Sequence, residues 1–172
     1  MGKYINEAGA DALRKFKYKG SDISVAYQQV WGPFAEILLK FVPETWAPNA
    51  ITLVGTLIHI LGCVTLASQG IGSPAAPWTI LFFSLCVIIY YNIDNIDGKQ
   101  ARRTGNSTPL GMCMDHGCDA LGVSFITLGV AMTAAVPSER IIVFSAQFFV
   151  LGSFWLSVWA QYHSNGVLIL GN

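Results

Sequence analysis

Residues 94–119 read DNIDGKQARRTGNSTPLGMCMDHGCD and lie between long apolar runs. The stretch carries four carboxylates at fixed spacing: Asp94, Asp97, Asp115 and Asp119. Carboxylates a few ångströms apart raise one another's pKa until some protonate or a divalent cation neutralises them. A hard cation such as Mg²⁺ or Mn²⁺ prefers these oxygen ligands. The stretch therefore predicts a metal site for phosphoryl chemistry beside a membrane.

The composition places the site in a membrane protein. Of the 172 residues, 53% are hydrophobic and 12% are charged, whereas a soluble domain has about 25% charged residues. A helix of about 20 apolar residues crosses a bilayer core. Four runs of this kind are found, at 48–68, 77–97, 117–136 and 141–161. They predict an all-α integral membrane fold, a bundle of about four transmembrane helices.

The cations predict the orientation of the bundle. Every Lys and Arg except Arg140 precedes the first apolar run or lies in the 98–116 loop. Loops rich in Lys and Arg stay on the cytosolic side, so both termini and the metal site are expected to face the cytosol. No signal peptide is expected, because the first long apolar run follows a polar region and should itself direct insertion.

Residues 33–42 predict a short amphipathic helix ahead of the first span. Its apolar positions follow helical spacing and comprise Phe34, Ile37, Leu38, Phe41 and Val42. It is too short to span, so it is expected either in the membrane interface or packed against the bundle. The chain thus divides into a cytosolic region, 1–47, and a membrane domain, 48–172.

Spacing places each pair of carboxylates on one helix face. Asp94 and Asp97 are three residues apart at the end of the second span, and Asp115 and Asp119 are four apart at the start of the third. Two helices can therefore present all four inward. The alternative is that the four carboxylates have no function and lie in a solvated loop. Charged side chains beside a membrane span, however, cost free energy unless they face a cavity or a partner.

The same run fits the pattern D-x2-D-G-x2-A-R-x8-G-x3-D-x3-D, so the chain resembles the CDP-alcohol phosphotransferases. The stretches DGKQARRTGNSTPLG and DHGCD are similar to the eukaryotic cholinephosphotransferase and ethanolaminephosphotransferase branch. So are WAPNAITLVG at 46–55 and WAQYHSNGVLILG at 159–171. The resemblance covers most of the chain from Trp46 onward.

The resemblance implies a reaction in the endoplasmic reticulum or Golgi membrane. Phosphocholine or phosphoethanolamine would pass from CDP-choline or CDP-ethanolamine to diacylglycerol, releasing CMP and forming phosphatidylcholine or phosphatidylethanolamine. Two divalent ions, Mg²⁺ or Mn²⁺, would be held by the four carboxylates. The resemblance also implies membrane lipid as a partner and a homodimer, and no nucleic acid.

The resemblance also implies roles for individual residues. The pocket for the CDP group would be lined by Asn49, Gly98, Ala101, Arg102 and Gly111. His116 would accept the proton of the lipid hydroxyl, and Asp119 is the alternative acceptor. If Asp119 is the acceptor, His116 would instead form a hydrogen bond beside the metal ligands.

The chain differs from the members of this branch in two respects, and these differences leave other functions open. The chain has Met112 where the branch carries Glu, and it is shorter than members of the branch, as expected of a form that stops after four spans. The alternatives are a CDP-diacylglycerol-dependent phosphatidyltransferase, a non-catalytic truncated fragment that keeps the metal and nucleotide site, and a carrier of divalent ions.

Overall fold

The computed structural model describes residues 5–15, 19–70, 74–134, 140–163 and 167–170. Within these ranges the chain is helical apart from its connections and one pair of short strands. The helices are α1 (Glu7–Arg14), α2 (Gly32–Leu39), α3 (Pro48–Ala67), α4 (Pro77–Arg103), α5 (Pro109–Thr133) and α6 (Arg140–His163). A π-helical turn, Tyr27–Trp31, runs directly into α2. The predicted helical bundle is confirmed.

The strands β1 (Lys19–Asp22) and β2 (Val167–Leu170) form a parallel pair that the sequence did not predict. Lys19 stands opposite Val167 and Asp22 opposite Leu170. The pair therefore links the N-terminal region to the segment that follows α6.

Proline starts the three helices that build the bundle. Pro48, Pro77 and Pro109 each lie in the first turn of their helix, where the missing N–H costs nothing. Thr108 caps α5 by accepting the backbone N–H of Gly111 at 3.0 Å. Gly105, with φ of 69°, turns the chain between α4 and α5.

Both helices at this turn are longer than predicted. The sequence placed the end of the second span near residue 97 and the start of the third near 117, whereas α4 continues to Arg103 and α5 begins at Pro109. The predicted 98–116 loop is thus mostly helical, and it places the candidate site residues on regular helices.

Three helices are long and apolar enough to cross a membrane: α3, α4 and residues Ile141–His163 of α6. Among the described residues, α5 is not in this group, because Asp115, His116 and Asp119 lie in its first half. Each of the four predicted apolar runs is largely helical over its described residues, and residues 135–136 of the third run lie outside them. A fourth crossing by α5 remains a prediction.

Helix α3 lies at the centre and packs against both α4 and α5, while α6 packs against α5. Glycines permit the close approaches. A Cβ added at Gly62 of α3 would lie 2.7 Å from the Cβ of Cys86 in α4. In contrast, none of the most apolar stretch of α6 is buried within the described chain.

Helix α2 shows one of the two arrangements that its sequence allowed, packing against the bundle, while its place in the membrane interface remains a prediction. It packs against α4, with Ala35 and Leu39 buried. Phe34, Ile37 and Phe41 remain exposed, Phe41 to 80%. The helix ends at Leu39, so Phe41 lies beyond it and not on its last turn as predicted.

Candidate metal centre

Three of the four predicted metal ligands meet between α4 and α5. One carboxylate oxygen from each of Asp94, Asp97 and Asp115 lies within 4.8 Å of the other two. Asp97 is buried, at 5% exposure, and the other two side chains are half-buried. We call these three residues the acidic centre. Their proximity in a partly buried place requires protons or a cation to offset the negative charge.

Asp119 borders the acidic centre without belonging to the mutually close group of three. Its Oδ1 accepts a hydrogen bond from the Tyr90 hydroxyl at 3.0 Å. Its carboxyl group also lies near enough to that of Asp94 for their negative charges to repel each other.

The residues present fit a divalent cation. The Oδ1 atom of Asp94 is buried and has no hydrogen-bond partner in the described part of the chain. A buried carboxylate oxygen without a partner is costly, and a bound cation would satisfy it. The donors are carboxylate oxygens, which suit Mg²⁺ or Mn²⁺ better than a soft metal.

Helix α3 supports the centre through Thr52, which the sequence analysis missed. The Thr52 hydroxyl donates a hydrogen bond to Oδ2 of Asp97, and the carbonyl of Pro48 lies 3.3 Å away as its intrahelical alternative. A threonine in an apolar helix ordinarily bonds a carbonyl of the preceding turn, as Thr56 does with Thr52 at 2.9 Å. No pattern in the sequence distinguishes the two threonines.

The residues predicted for the CDP pocket flank the acidic centre. Oδ1 of Asn49, at the start of α3, lies 3.3 Å from the position that a Cβ at Gly111 would occupy. Around a Cβ at Gly98 the nearest described atom is Nη1 of Arg102 at 3.6 Å. Gly98 and Ala101 are half-buried, and Arg102 is exposed. The first turns of α3 and α5 therefore meet beside an open face of α4.

The cations that follow Asp97 have different surroundings. Lys99 forms an ion pair with Glu36 of α2 and lies over the Tyr27 ring, 5.9 Å from its centroid. The hydrogen bond from Lys99 lowers the pKa of the exposed Glu36 carboxyl, although burial opposes the shift. Lys99 thus ties α2 to α4, whereas the exposed Arg102 lies next to Gly98.

Gln100 and Arg103 hold the connection between α2 and α3, which we call the α2–α3 corner, residues 40–47. Nε2 of the fully buried Gln100 donates to the carbonyls of Pro43 and Trp46, both at 2.9 Å. Arg103 donates to the carbonyl of Leu39 at 3.0 Å and to that of Val42 at 2.7 Å. The sequence analysis did not single out this role for either residue.

His116 lies one residue after Asp115 and is half-buried. Its ring meets Phe154 of α6 edge-on, with centroids 6.3 Å apart. Within the described residues no hydrogen bond joins His116 to any of the four carboxylates. Its predicted role as proton acceptor remains a prediction.

The fold and the site together define a helical membrane protein with a buried carboxylate centre suited to a divalent cation. The chain belongs to the CDP-alcohol phosphatidyltransferase family, whose pattern it matches over residues 45–168. The family resemblance inferred from the sequence is confirmed.

Similar proteins come from several eukaryotes. The chain is 35% identical over 173 residues to uncharacterized CDP-alcohol phosphatidyltransferase class-I family protein 3 of Dictyostelium discoideum, covering 99% of this chain and 43% of that protein. It is 35% identical over 166 residues to choline/ethanolaminephosphotransferase 2 of Arabidopsis thaliana, covering 94% and 41%. It is 38% identical over 136 residues to cholinephosphotransferase 1 of Bos taurus, covering 78% and 33%. The chain therefore spans less than half the length of these relatives.

Proposed function

We propose that this chain carries the metal-binding and CDP-binding part of a membrane transferase. The enzyme moves phosphocholine or phosphoethanolamine from its CDP ester to diacylglycerol and releases CMP. The observation that carries the proposal is the acidic centre, in which Asp94, Asp97 and Asp115 gather from two helices. The names of the relatives from Arabidopsis thaliana and Bos taurus support this substrate class.

The metal ligands in this proposal are the acidic centre and Asp119. When bound, Mg²⁺ or Mn²⁺ would offset the charge of the diphosphate and of the leaving CMP. The unpartnered oxygen of Asp94 supports a ligand role for that residue. Asp119, adjacent to Asp94, is proposed as the fourth carboxylate, which would allow two ions to share the site.

The CDP group is assigned to the open face of α4. Gly98 leaves space for a diphosphate to approach the backbone, and Ala101 continues this small-residue face. The Arg102 guanidinium supplies a forked donor for phosphate oxygens. We assign Asn49 and Gly111, which lie close together where α3 and α5 begin, to the same proposed pocket.

In the transfer step, the diacylglycerol oxygen bonds to phosphorus while the bond from phosphorus to the CMP oxygen breaks. The hydroxyl proton must leave, and we assign it to His116, with Asp119 as the alternative acceptor. The surroundings of Asp119 favour His116, because Asp119 already accepts a hydrogen bond from Tyr90 and is itself proposed as a metal ligand. Those contacts engage the lone pairs that a base would need.

A second candidate is a segment that binds metal and nucleotide without turnover of its own. Met112 favours it, because it lies one helical turn before His116, where the related branch carries Glu. An acid at that position would raise the basicity of the imidazole. Transfer of a phosphatidyl group from CDP-diacylglycerol remains the alternative within the enzyme class.

The deciding experiment is lipid synthesis by the purified chain in lipid nanodiscs. Radiolabelled CDP-choline or CDP-ethanolamine is supplied with diacylglycerol and Mg²⁺ or Mn²⁺. Asp97→Ala should abolish the lipid product, because it removes the most enclosed ligand of the acidic centre. The matched control is Asp11→Ala in α1, which removes an exposed carboxylate paired with Arg14 and should leave the yield unchanged.

Other results would assign the chain differently. Product from CDP-diacylglycerol and an alcohol, with neither CDP ester active, would support the phosphatidyltransferase. Metal-dependent binding of CDP-choline that Asp97→Ala removes, without product from any donor, would support the non-catalytic segment. The organelle, the cytosolic orientation and the homodimer are separate proposals, the orientation resting on the distribution of cations.

The proposed base is tested by His116→Ala. We expect the half-saturating concentration of the CDP ester to stay unchanged and turnover to fall by roughly 10²-fold or more, as for the loss of a general base. His163→Ala is the matched control, because His163 ends α6 and its Nδ1 lies 3.0 Å from the carbonyl of Trp159. Unchanged turnover in His116→Ala would transfer the role to Asp119.

A further inference from the structure

We propose that Tyr90 is a positioning residue that fixes the Asp119 carboxyl beside the acidic centre and thereby strengthens cation binding. The inference rests on the metal-binding function proposed above. Tyr90 lies in α4, one helical turn before Asp94, and its hydroxyl reaches across to Asp119 in α5 at 3.0 Å. This bond joins the two helices that supply the metal ligands.

The phenol ring of Tyr90 is held on its flat side and at its tip. The His59 ring of α3 stacks against it, with centroids 4.8 Å apart and planes 28° apart. At the tip, a Cβ added at Gly122 would lie 2.5 Å from the hydroxyl oxygen. Gly122 therefore provides the space that the hydroxyl occupies. Since Tyr90 is only 7% exposed, the hydroxyl has a fixed position.

A fixed donor restricts the carboxylate that accepts from it. Oδ1 of Asp119 accepts from Tyr90, which leaves the other oxygen free to turn toward Asp94 and a shared cation. Without the donor, the Asp119 side chain can rotate about its own bonds and must be ordered again when a cation binds. Loss of such a supporting contact typically weakens metal affinity or activity by about 10–100-fold.

The test measures Mn²⁺ binding directly, by the loss of the free-ion signal in electron paramagnetic resonance, with the whole chain in nanodiscs. Tyr90→Phe keeps the ring and removes the donor, and we expect the half-saturating Mn²⁺ concentration to rise roughly 10-fold or more. Tyr91→Phe is the matched control. The Tyr91 ring meets that of Trp31 edge-on, with centroids 5.3 Å apart, and Tyr91 is 43% exposed. The Tyr91→Phe variant should therefore bind Mn²⁺ as tightly as the unmodified chain.

A double-mutant cycle separates positioning from general structural support. If Tyr90 acts through Asp119, then Tyr90→Phe should change Mn²⁺ affinity less than about twofold in the Asp119→Asn background. Should Tyr90→Phe prevent folding, Gly122→Ala supplies the second variant, because its methyl group displaces the hydroxyl. Gly122→Ala should also weaken Mn²⁺ binding, and an unchanged circular dichroism spectrum would show that this variant is folded.

Two outcomes would overturn the inference. The first leaves the proposed metal-binding function standing, and the second contradicts it as well. If Asp97→Ala removes Mn²⁺ binding but Tyr90→Phe binds as tightly as Tyr91→Phe, or the two changes are additive in the cycle, only the positioning role fails. If the unmodified chain does not bind Mn²⁺, or if Asp97→Ala binds it equally well, both the metal-binding function and the positioning role of Tyr90 are wrong.

Discussion

Asp97 is held by a hydroxyl group from a helix that carries none of the metal ligands. The Thr52 hydroxyl on α3 donates to Oδ2 of Asp97, and both residues are 5% exposed. This bond orients the Asp97 carboxylate within the acidic centre. The centre therefore depends on three helices, although its acidic ligands come from α4 and α5.

Replacing Thr52 by Val should test this dependence while preserving side-chain shape. Loss of a contact that orients a metal ligand typically weakens metal affinity by about 10–100-fold, so we expect the half-saturating Mn²⁺ concentration to rise at least about tenfold. Thr56→Val is the control, because Thr56 donates only within α3, to the carbonyl of Thr52. Equal affinities in the two variants would show that the Thr52 hydroxyl does not orient Asp97 for the cation.

The sequence predicted the acidic residues and missed the groups that orient them. The spacing of the aspartates reveals a shared helix face, because it depends only on helical geometry. The contacts of Thr52 with Asp97 and of Tyr90 with Asp119 join residues 45 and 29 positions apart. They depend on how each helix is rotated about its axis, which a single sequence does not specify.

At the scale of elements, the α2–α3 corner is fastened to the end of α4 through backbone carbonyls. Gln100 donates to two of them, and Arg103 donates to that of Val42 and to the carbonyl of Leu39 at the end of α2. The first turn of α3, with Asn49 and Thr52, follows directly from this corner. Fastening the corner therefore also sets where these two residues meet the site.

Gln100→Leu should lower the thermal denaturation midpoint in detergent and weaken Mn²⁺ binding. The substitution removes the hydrogen bonds that Gln100 donates to the carbonyls of Pro43 and Trp46, and such a bond typically contributes about 0.5–1.5 kcal/mol. Asn95→Leu is the control on the same helix, because the side chain of Asn95 donates, among the described residues, only to the carbonyl of Tyr91 one turn earlier. A midpoint no lower than that of Asn95→Leu would show that the corner is held by other contacts.

The elements themselves were predicted better than their ends. Apolar runs of sufficient length identified the four long helices, but α4 and α5 extend beyond the apolar residues into the polar turn. They do so because Thr108 and Pro109 start α5 and Gly105 supplies the left-handed turn after α4. The β1–β2 pair could not be predicted, since its two strands lie near opposite ends of the sequence.

At the scale of the whole molecule, a cation at the acidic centre would cross-link α4 and α5. We expect Mg²⁺ to raise the denaturation midpoint relative to EDTA, because a ligand that binds the folded chain stabilises it by about 2.7 kcal/mol at a hundred times its dissociation constant. Asp97→Ala should abolish the difference. A Mg²⁺-dependent rise of equal size in Asp97→Ala would place the stabilising ion elsewhere.

Helix α4 also sets a constraint on chain length. Four residues of α4 at intervals of three each contact a different element. Asp94 lies near Asp115 of α5, and Asp97 accepts from Thr52 of α3. Gln100 donates to the α2–α3 corner, and Arg103 donates to Leu39 at the end of α2. An inserted residue would rotate everything after it by about 100°. The acidic ligands and the residues that fasten the corner would then be out of phase. This part of α4 should therefore tolerate a replaced exposed side chain better than a change in the number of residues between Asp97 and Gln100.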